Sequence, residues 1–192
     1  MAKLSRVDNK NASVWVISGP SGVGKGTVCA ALRRQRPEVF FSVSMTTRKP
    51  RPSETDGVSY HFVSDEHFRE LVDAGEMLEH AVVHGLHSYG TPRRAVEEAL
   101  AQGRPVVLEI DLQGARQVKE NLPEAKLVFL QPPSWDELVK RLRGRGTEDE
   151  EAQSRRLETA KLELEAMAEA DEVVENDDVE ETVANLISLM GL

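Results

Sequence analysis

Long hydrophobic runs are missing from this 192-residue chain, and so are a second cysteine and any excess of basic charge. No apolar stretch approaches the roughly 20 residues that a membrane-spanning helix needs, so no spanning segment and no membrane partner is expected. The lone Cys29 cannot close an intramolecular disulfide, which fits a reducing, cytoplasmic setting. It lies where a helix is expected, and packing is the role such a position gives it. The formal net charge is -9, and binding along a nucleic-acid backbone calls for a basic face, so no nucleic-acid partner is expected. Any anionic ligand must be met by local clusters of cations. Met1 to Asn11 is polar and charged without an apolar signal core, and reads as a flexible arm. Nothing in the sequence decides between a monomer and a homo-oligomer.

What is present begins with Gly19-Pro20-Ser21-Gly22-Val23-Gly24-Lys25. It follows the apolar run Val14-Trp15-Val16-Ile17 and leads into Val28-Cys29-Ala30-Ala31-Leu32. A strand, a glycine-rich turn and a helix start form a phosphate cradle: the turn gathers backbone N–H groups, and the helix N-terminus adds positive potential. Lys25 is then expected to reach the terminal phosphates of a nucleoside triphosphate. The residue after Lys25 is Gly26, and the hydroxyl that commonly meets magnesium comes one place later, at Thr27. Magnesium on the nucleotide is therefore expected to be held through water near Thr27, with Glu109 a second candidate. The Gly-Lys-Gly-Thr variant resembles that of nucleoside monophosphate kinases.

Strands are expected at Val39–Ser44, Tyr60–Val63, Met77–Val83, Pro105–Asp111, Ala125–Leu130 and Glu172–Glu175. Helices are expected at Asp65–Ala74, capped by Ser64 or Asp65, at Pro92–Gln102, after Leu112, at Ser134–Arg143, over Thr147–Ala170 and at Val179–Met190. The alternation predicts an α/β fold, a mostly parallel sheet covered by helices, with a cluster of short strands as an inserted lobe. His80, His84 and His87 would share a face only on a helix; Val82-Val83 followed by Gly85 reads as strand and turn, so no protein-held metal is expected there.

A second anion site is suggested by Arg48, Arg51 and Tyr60 on a polar loop leaving a strand end. Two guanidinium forks can each donate paired hydrogen bonds to a phosphate, and open α/β sheets bind ligands at that edge.

Several stretches together resemble guanylate kinases: Gly19 to Thr27, Ser44-Met45-Thr46-Thr47-Arg48-Lys49-Pro50-Arg51, Asp56 to Phe62 and Gly75-Glu76-Met77-Leu78-Glu79. The same holds for Tyr89-Gly90-Thr91, Glu109 to Gly114, Gly144-Arg145-Gly146-Thr147-Glu148 and Asn176-Asp177-Asp178. The matches come in the family's order from Val14 onward. The resemblance implies a three-layer P-loop fold in a single domain. Its nucleotide core would cover about residues 12–44, 95–135 and 171–192, its GMP-binding lobe about 45–94, and its helical lid about 136–170. It also implies that Arg48, Arg51, Tyr60 and Tyr89 hold the phosphate of GMP while Ser44, Glu79, Thr91 and Asp111 surround its base. Guanine chemistry agrees, because carboxylates at Glu79 and Asp111 can accept its N1–H and exocyclic amine.

The expected reaction moves the terminal phosphoryl group of ATP to GMP, and to dGMP, without a protein nucleophile. Lys25, Arg48, Arg145 and Arg156, joined by Arg141, are the candidate catalytic cations, and Asn176 is the candidate adenine contact. Two rivals remain at this point: a guanylate-kinase-like module that binds phosphorylated protein segments without catalysis, and a kinase of the same fold with another acceptor.

Overall fold

Apolar strand cores flanked by glycine and serine turns build two sheets in the computed structural model, which describes residues 13–83, 85–143 and 150–192. In chain order the elements are β1 (Val14–Ser18), α1 (Lys25–Gln35), β2 (Phe40–Phe41), β3 (Met45–Thr46), β4 (His61–Phe62), α2 (Asp65–Asp73), β5 (Met77–Val83), β6 (His87–Pro92), α3 (Arg93–Ala101), β7 (Val106–Glu109), α4 (Leu112–Asn121), β8 (Lys126–Gln131), α5 (Trp135–Arg143), α6 (Glu150–Glu165), β9 (Glu172–Glu175) and α7 (Val179–Met190). A 3-10 turn at Ala166–Glu169 follows α6. The expected N-terminal arm, His84 and the Gly144 to Asp149 stretch lie outside the described residues.

The larger sheet has the order β2-β7-β1-β8-β9. The pairs β1–β8, β2–β7 and β8–β9 are parallel, and the bonds from Val106 N–H to Ser13 O and from Ile110 N–H to Ile17 O keep the same offset. This is the mostly parallel α/β sheet expected of a P-loop fold. Strands buried on both faces need apolar residues at successive positions, and Val14 to Ile17 and Leu127 to Leu130 supply them.

Two compact units make up the chain. The first is chiefly Glu38–Leu108 with Gln113–Ala125, and includes the span expected as a lobe. Its own sheet, β4-β3-β6-β5, pairs β3 with β4 in parallel and β6 antiparallel to both β3 and β5. Ser64 starts α2 by accepting the His67 N–H, which satisfies one of the otherwise unpaired donors of the first turn.

The second unit is Trp15–Pro37, Glu109–Leu112 and Lys126–Leu192, and includes the span expected as a lid. Its core joins Ile17, Val28, Leu32, Phe129, Leu130, Leu138, Val183 and Leu186, all almost fully buried. Asp178 caps α7 through the Glu181 N–H.

Three readings need correction. The single strand expected at Val39–Ser44 is two: β2 ends where Ser42 N–H donates to Val107 O, and Ser44 O then accepts His61 N–H in the other sheet. The chain changes sheets within three residues, a switch that apolar periodicity does not encode. Strand β6 was not expected, because His87-Ser88-Tyr89-Gly90-Thr91-Pro92 has neither apolar alternation nor strand-favouring residues throughout. Tertiary fit decides it: a Cβ on Gly90 would come within 2.9 Å of Glu79 O and 3.1 Å of the Phe68 ring. The helix expected over Thr147–Ala170 is α6, ending at Glu165, and the narrower 3-10 turn.

Candidate active site

The cradle residues Gly19 to Gly24 link β1 to α1, and Gly24 takes φ 104°, a left-handed conformation that a side chain disfavours. Lys25 turns its ammonium back on the cradle, donating to Gly19 O and, at 3.3 Å, to Pro20 O. Thr27 is exposed in the first turn of α1, and Gly26 faces Glu109, to whose carboxylate a Cβ at Gly26 would stand 3.5 Å away. Glu109 is open to solvent at the end of β7, yet enough protein surrounds its carboxyl to raise its pKa, an effect that Lys25 opposes. Cys29 is buried, and that burial, reinforced by Glu109, pushes its thiol pKa well up; it behaves as packing.

Asn176, the expected adenine contact, also braces the cradle. Its side chain is 3% exposed, donates to Val23 O at 2.7 Å and accepts the Thr182 hydroxyl at 3.0 Å, so the amide links the cradle to α7. The amide keeps a second N–H and a second lone pair beyond these two bonds, so the adenine contact expected of it remains a proposal.

Two helices touch the cradle from elsewhere in the same unit. Arg141 of α5 donates to Asn176 O at 2.9 Å and Val23 O at 3.4 Å. It also holds the half-exposed Glu137 carboxylate, whose pKa it lowers through their hydrogen bond. Arg156 of α6 donates to the Ser21 hydroxyl at 3.0 and 3.3 Å, and Glu163 of the same helix accepts the Ser21 N–H at 2.9 Å. Arg145 falls outside the described residues.

The other unit gathers the second set of cations. Arg48 donates through Nε to the Tyr89 hydroxyl at 3.0 Å, and its guanidinium lies 5.5 Å from the centre of the Tyr60 ring. The two tyrosines, the only ones in the chain, meet edge to face at 5.8 Å. A residue that sequence reasoning missed organises this group: Glu54 accepts Arg48 Nη2 at 2.7 Å and the Arg51 backbone N–H at 2.8 Å. Its carboxyl pKa is lowered, first by the hydrogen bond from Arg48, and the Arg48 pKa is raised by the same bond. Arg51 is looser, with a side chain 63% exposed and 3.9 Å from Glu54. Glu54 could have been noticed as an acid three residues after Arg51, but in a proline-rich loop that spacing carries no geometric rule.

Glu79 on β5 is 4% exposed, faces Thr91 across the β5–β6 ladder and accepts its hydroxyl at 2.6 Å. Ser44 stands half-buried just ahead of β3. Asp111, half-buried just ahead of α4, belongs to the cradle's unit. His80 and His87 lie on the two strands of a hairpin, not on one helix face. Among the described residues, no group of three or more His, Cys, Asp or Glu could hold a metal ion.

A glycine-rich turn between a buried parallel strand and a helix, with its lysine at the helix start, defines a P-loop protein of the nucleotide-binding α/β class. A family model described as guanylate kinase matches residues 11–191. The chain is 59% identical to the guanylate kinase of Frankia casuarinae, covering 91% of this chain and 95% of that one. It is 52% identical to that of Corynebacterium jeikeium, covering 95% and 98%. A crystal structure of guanylate kinase from Anaplasma phagocytophilum superposes with a TM-score of 0.78 at 33% identity, over 94% of this chain and 85% of that one. The chain belongs to the guanylate kinase family.

Proposed function

We propose that this chain transfers the terminal phosphoryl group of ATP to the phosphate of GMP, giving ADP and GDP. The observation that carries the reading is the pairing, in one family member, of a triphosphate cradle with an arginine and tyrosine cluster beside a buried carboxylate. In this reading the N–H groups of Gly19 to Thr27 and the Lys25 ammonium hold the triphosphate. Arg48, Arg51, Tyr60 and Tyr89 hold the acceptor phosphate, and Ser44, Glu79, Thr91 and Asp111 read the base.

Glu79 suits guanine on chemical grounds. Its carboxylate, oriented by the Thr91 hydroxyl, can accept the N1–H and amine that guanine presents, whereas adenine has no N1–H. Buried polar sites can reject the wrong partner by as much as about 10⁴. The acceptor phosphate is already ionised near neutral pH, so alignment and charge stabilisation suffice and no general base is needed. Arg141, Arg145 and Arg156 are assigned to the negative charge that develops on the transferring group. Closure of about residues 136–170 over the nucleotide would exclude water.

Magnesium fits the oxygen donors available, since Thr27 and Glu109 flank the cradle and hard oxygen ligands with retained waters suit this ion. Bound to the triphosphate, it would neutralise part of the phosphate charge. The activity is assigned to the cytoplasm; no helix among the described residues is long and apolar enough to cross a membrane. Neither a membrane nor a nucleic acid is part of the proposal.

A coupled assay with ATP and each of GMP, AMP, UMP and dTMP tests the reading. Turnover is expected with GMP far above the others. Preference for a different acceptor would overturn the base assignment, and binding of GMP without ADP release would indicate a binding module.

A further inference from the structure

Among the described residues, strand β5 is an outer strand of its four-stranded sheet, so one row of its backbone groups has no neighbouring strand there to pair with. Helix α4 supplies the partners instead. The Gln117 side chain accepts the His80 N–H at 3.2 Å and donates to His80 O at 2.6 Å. Asn121 donates to Leu78 O at 2.9 Å. The match is geometric: residues four apart on a helix are separated by about 6 Å along its axis, and residues two apart on a strand by about 6.8 Å. Two amides on one helix face therefore act as a surrogate strand over Leu78 and His80, and the residue between them is Glu79.

We propose that Gln117 and Asn121 are positioning residues that set acceptor specificity by fixing the strand segment carrying Glu79. This rests on the proposed reading of Glu79 as a recogniser of guanine. From the inner side Glu79 is held by the Thr91 hydroxyl and by its ladder with β6. From the outer side the backbone on both flanks is held by α4. A carboxylate that must meet two donors at hydrogen-bond distance loses selectivity when its backbone drifts by a fraction of an ångström. The contact to His80 is open to solvent, so its loss loosens the strand without emptying a core.

The test compares wild type with Gln117→Met, which keeps the length of the side chain and removes both hydrogen bonds. kcat/KM is measured for GMP, for AMP and for inosine monophosphate, which lacks the exocyclic amine. Selectivity for GMP over at least one of the other two is expected to fall about tenfold, with KM for ATP unchanged. If α4 merely covers an edge, the variant will melt earlier while every selectivity ratio stays at the wild-type value, and the inference is overturned. Should Gln117→Met not fold, Asn121→Leu removes one bond and gives the same reading with a smaller shift. A wild-type enzyme indifferent to the base would sink the reading of Glu79 itself, and the inference with it, before any variant is compared.

Discussion

The cradle and the arginine cluster are both assigned to phosphate in the proposed reading, but they are built from different materials. The cradle is backbone: Gly24 at φ 104° and a lysine resting on the cradle's own carbonyls, braced from behind by Asn176. The cluster is side chain: Arg48, Tyr60 and Tyr89 in mutual contact, braced by the Glu54 carboxylate. In the first, the brace also holds secondary structure together, so function and stability are hard to separate. In the second, the brace holds mainly the loop and one guanidinium, so affinity can be altered while the fold persists.

The largest effect should come from Lys25→Ala. If the proposed transfer is right, turnover drops by about a thousandfold or more, while thermal unfolding stays near wild type. Near-normal turnover in a folded variant would contradict the mechanism. Next comes Asn176→Ala, which strips two buried hydrogen bonds and should destabilise by about 2 kcal/mol, lowering Tm by roughly 4–8 °C. An unchanged Tm would mean that the cradle does not depend on its brace. Glu54→Gln should do the reverse: KM for GMP rises about tenfold, with KM for ATP and Tm little moved. A lower KM for GMP would instead mark Glu54 as a competitor of the phosphate.

The smallest effect, and the sharpest contrast, is in acid. The Glu54 carboxyl lies below its usual 4.5 in the fold, so its contribution is complete above that value and is lost as pH falls through the lowered one. The Glu109 carboxyl lies above 4.5, so its ionisation detracts from stability as pH rises past 4.5 toward the raised value. Melting from about pH 3 to 8 should therefore show the small deficit of Glu54→Gln shrinking toward acid. Glu109→Gln should gain on wild type as pH rises, modestly, because solvent reaches that carboxyl. Parallel curves for both variants would remove the contrast.

Much of the scaffold was legible because it is local. Strands β5 and β9 and helix α7 run over the residues expected of them, since Met77 to Val83 and Glu172 to Glu175 are bounded by turn residues and Asp178 and Gly191 bracket α7. Strand β6 was hidden because its reason for being extended lies in Phe68 and Glu79, not in its own composition. The site divides along the same line. A contiguous cradle announces itself, whereas Arg48 and Tyr89 are 41 positions apart and could be grouped only through family resemblance. The braces were harder to read: Glu54, Gln117, Asn121 and the buried amide of Asn176 act by long-range contact or loop geometry, and although the 3.6 period puts Gln117 and Asn121 on one helix face, it does not say which strand they meet.

Ser21 is the point where helix α6 grips the P-loop, with Arg156 on its hydroxyl and Glu163 on its N–H. In the proposed reading an oxyanion seeking that N–H would have to evict the carboxylate, while the guanidinium about two helical turns away would gain a new counter-ion. Repulsion on one side and attraction on the other would then act on a single rod, so that a nucleotide bound as proposed would be felt as torque along α6.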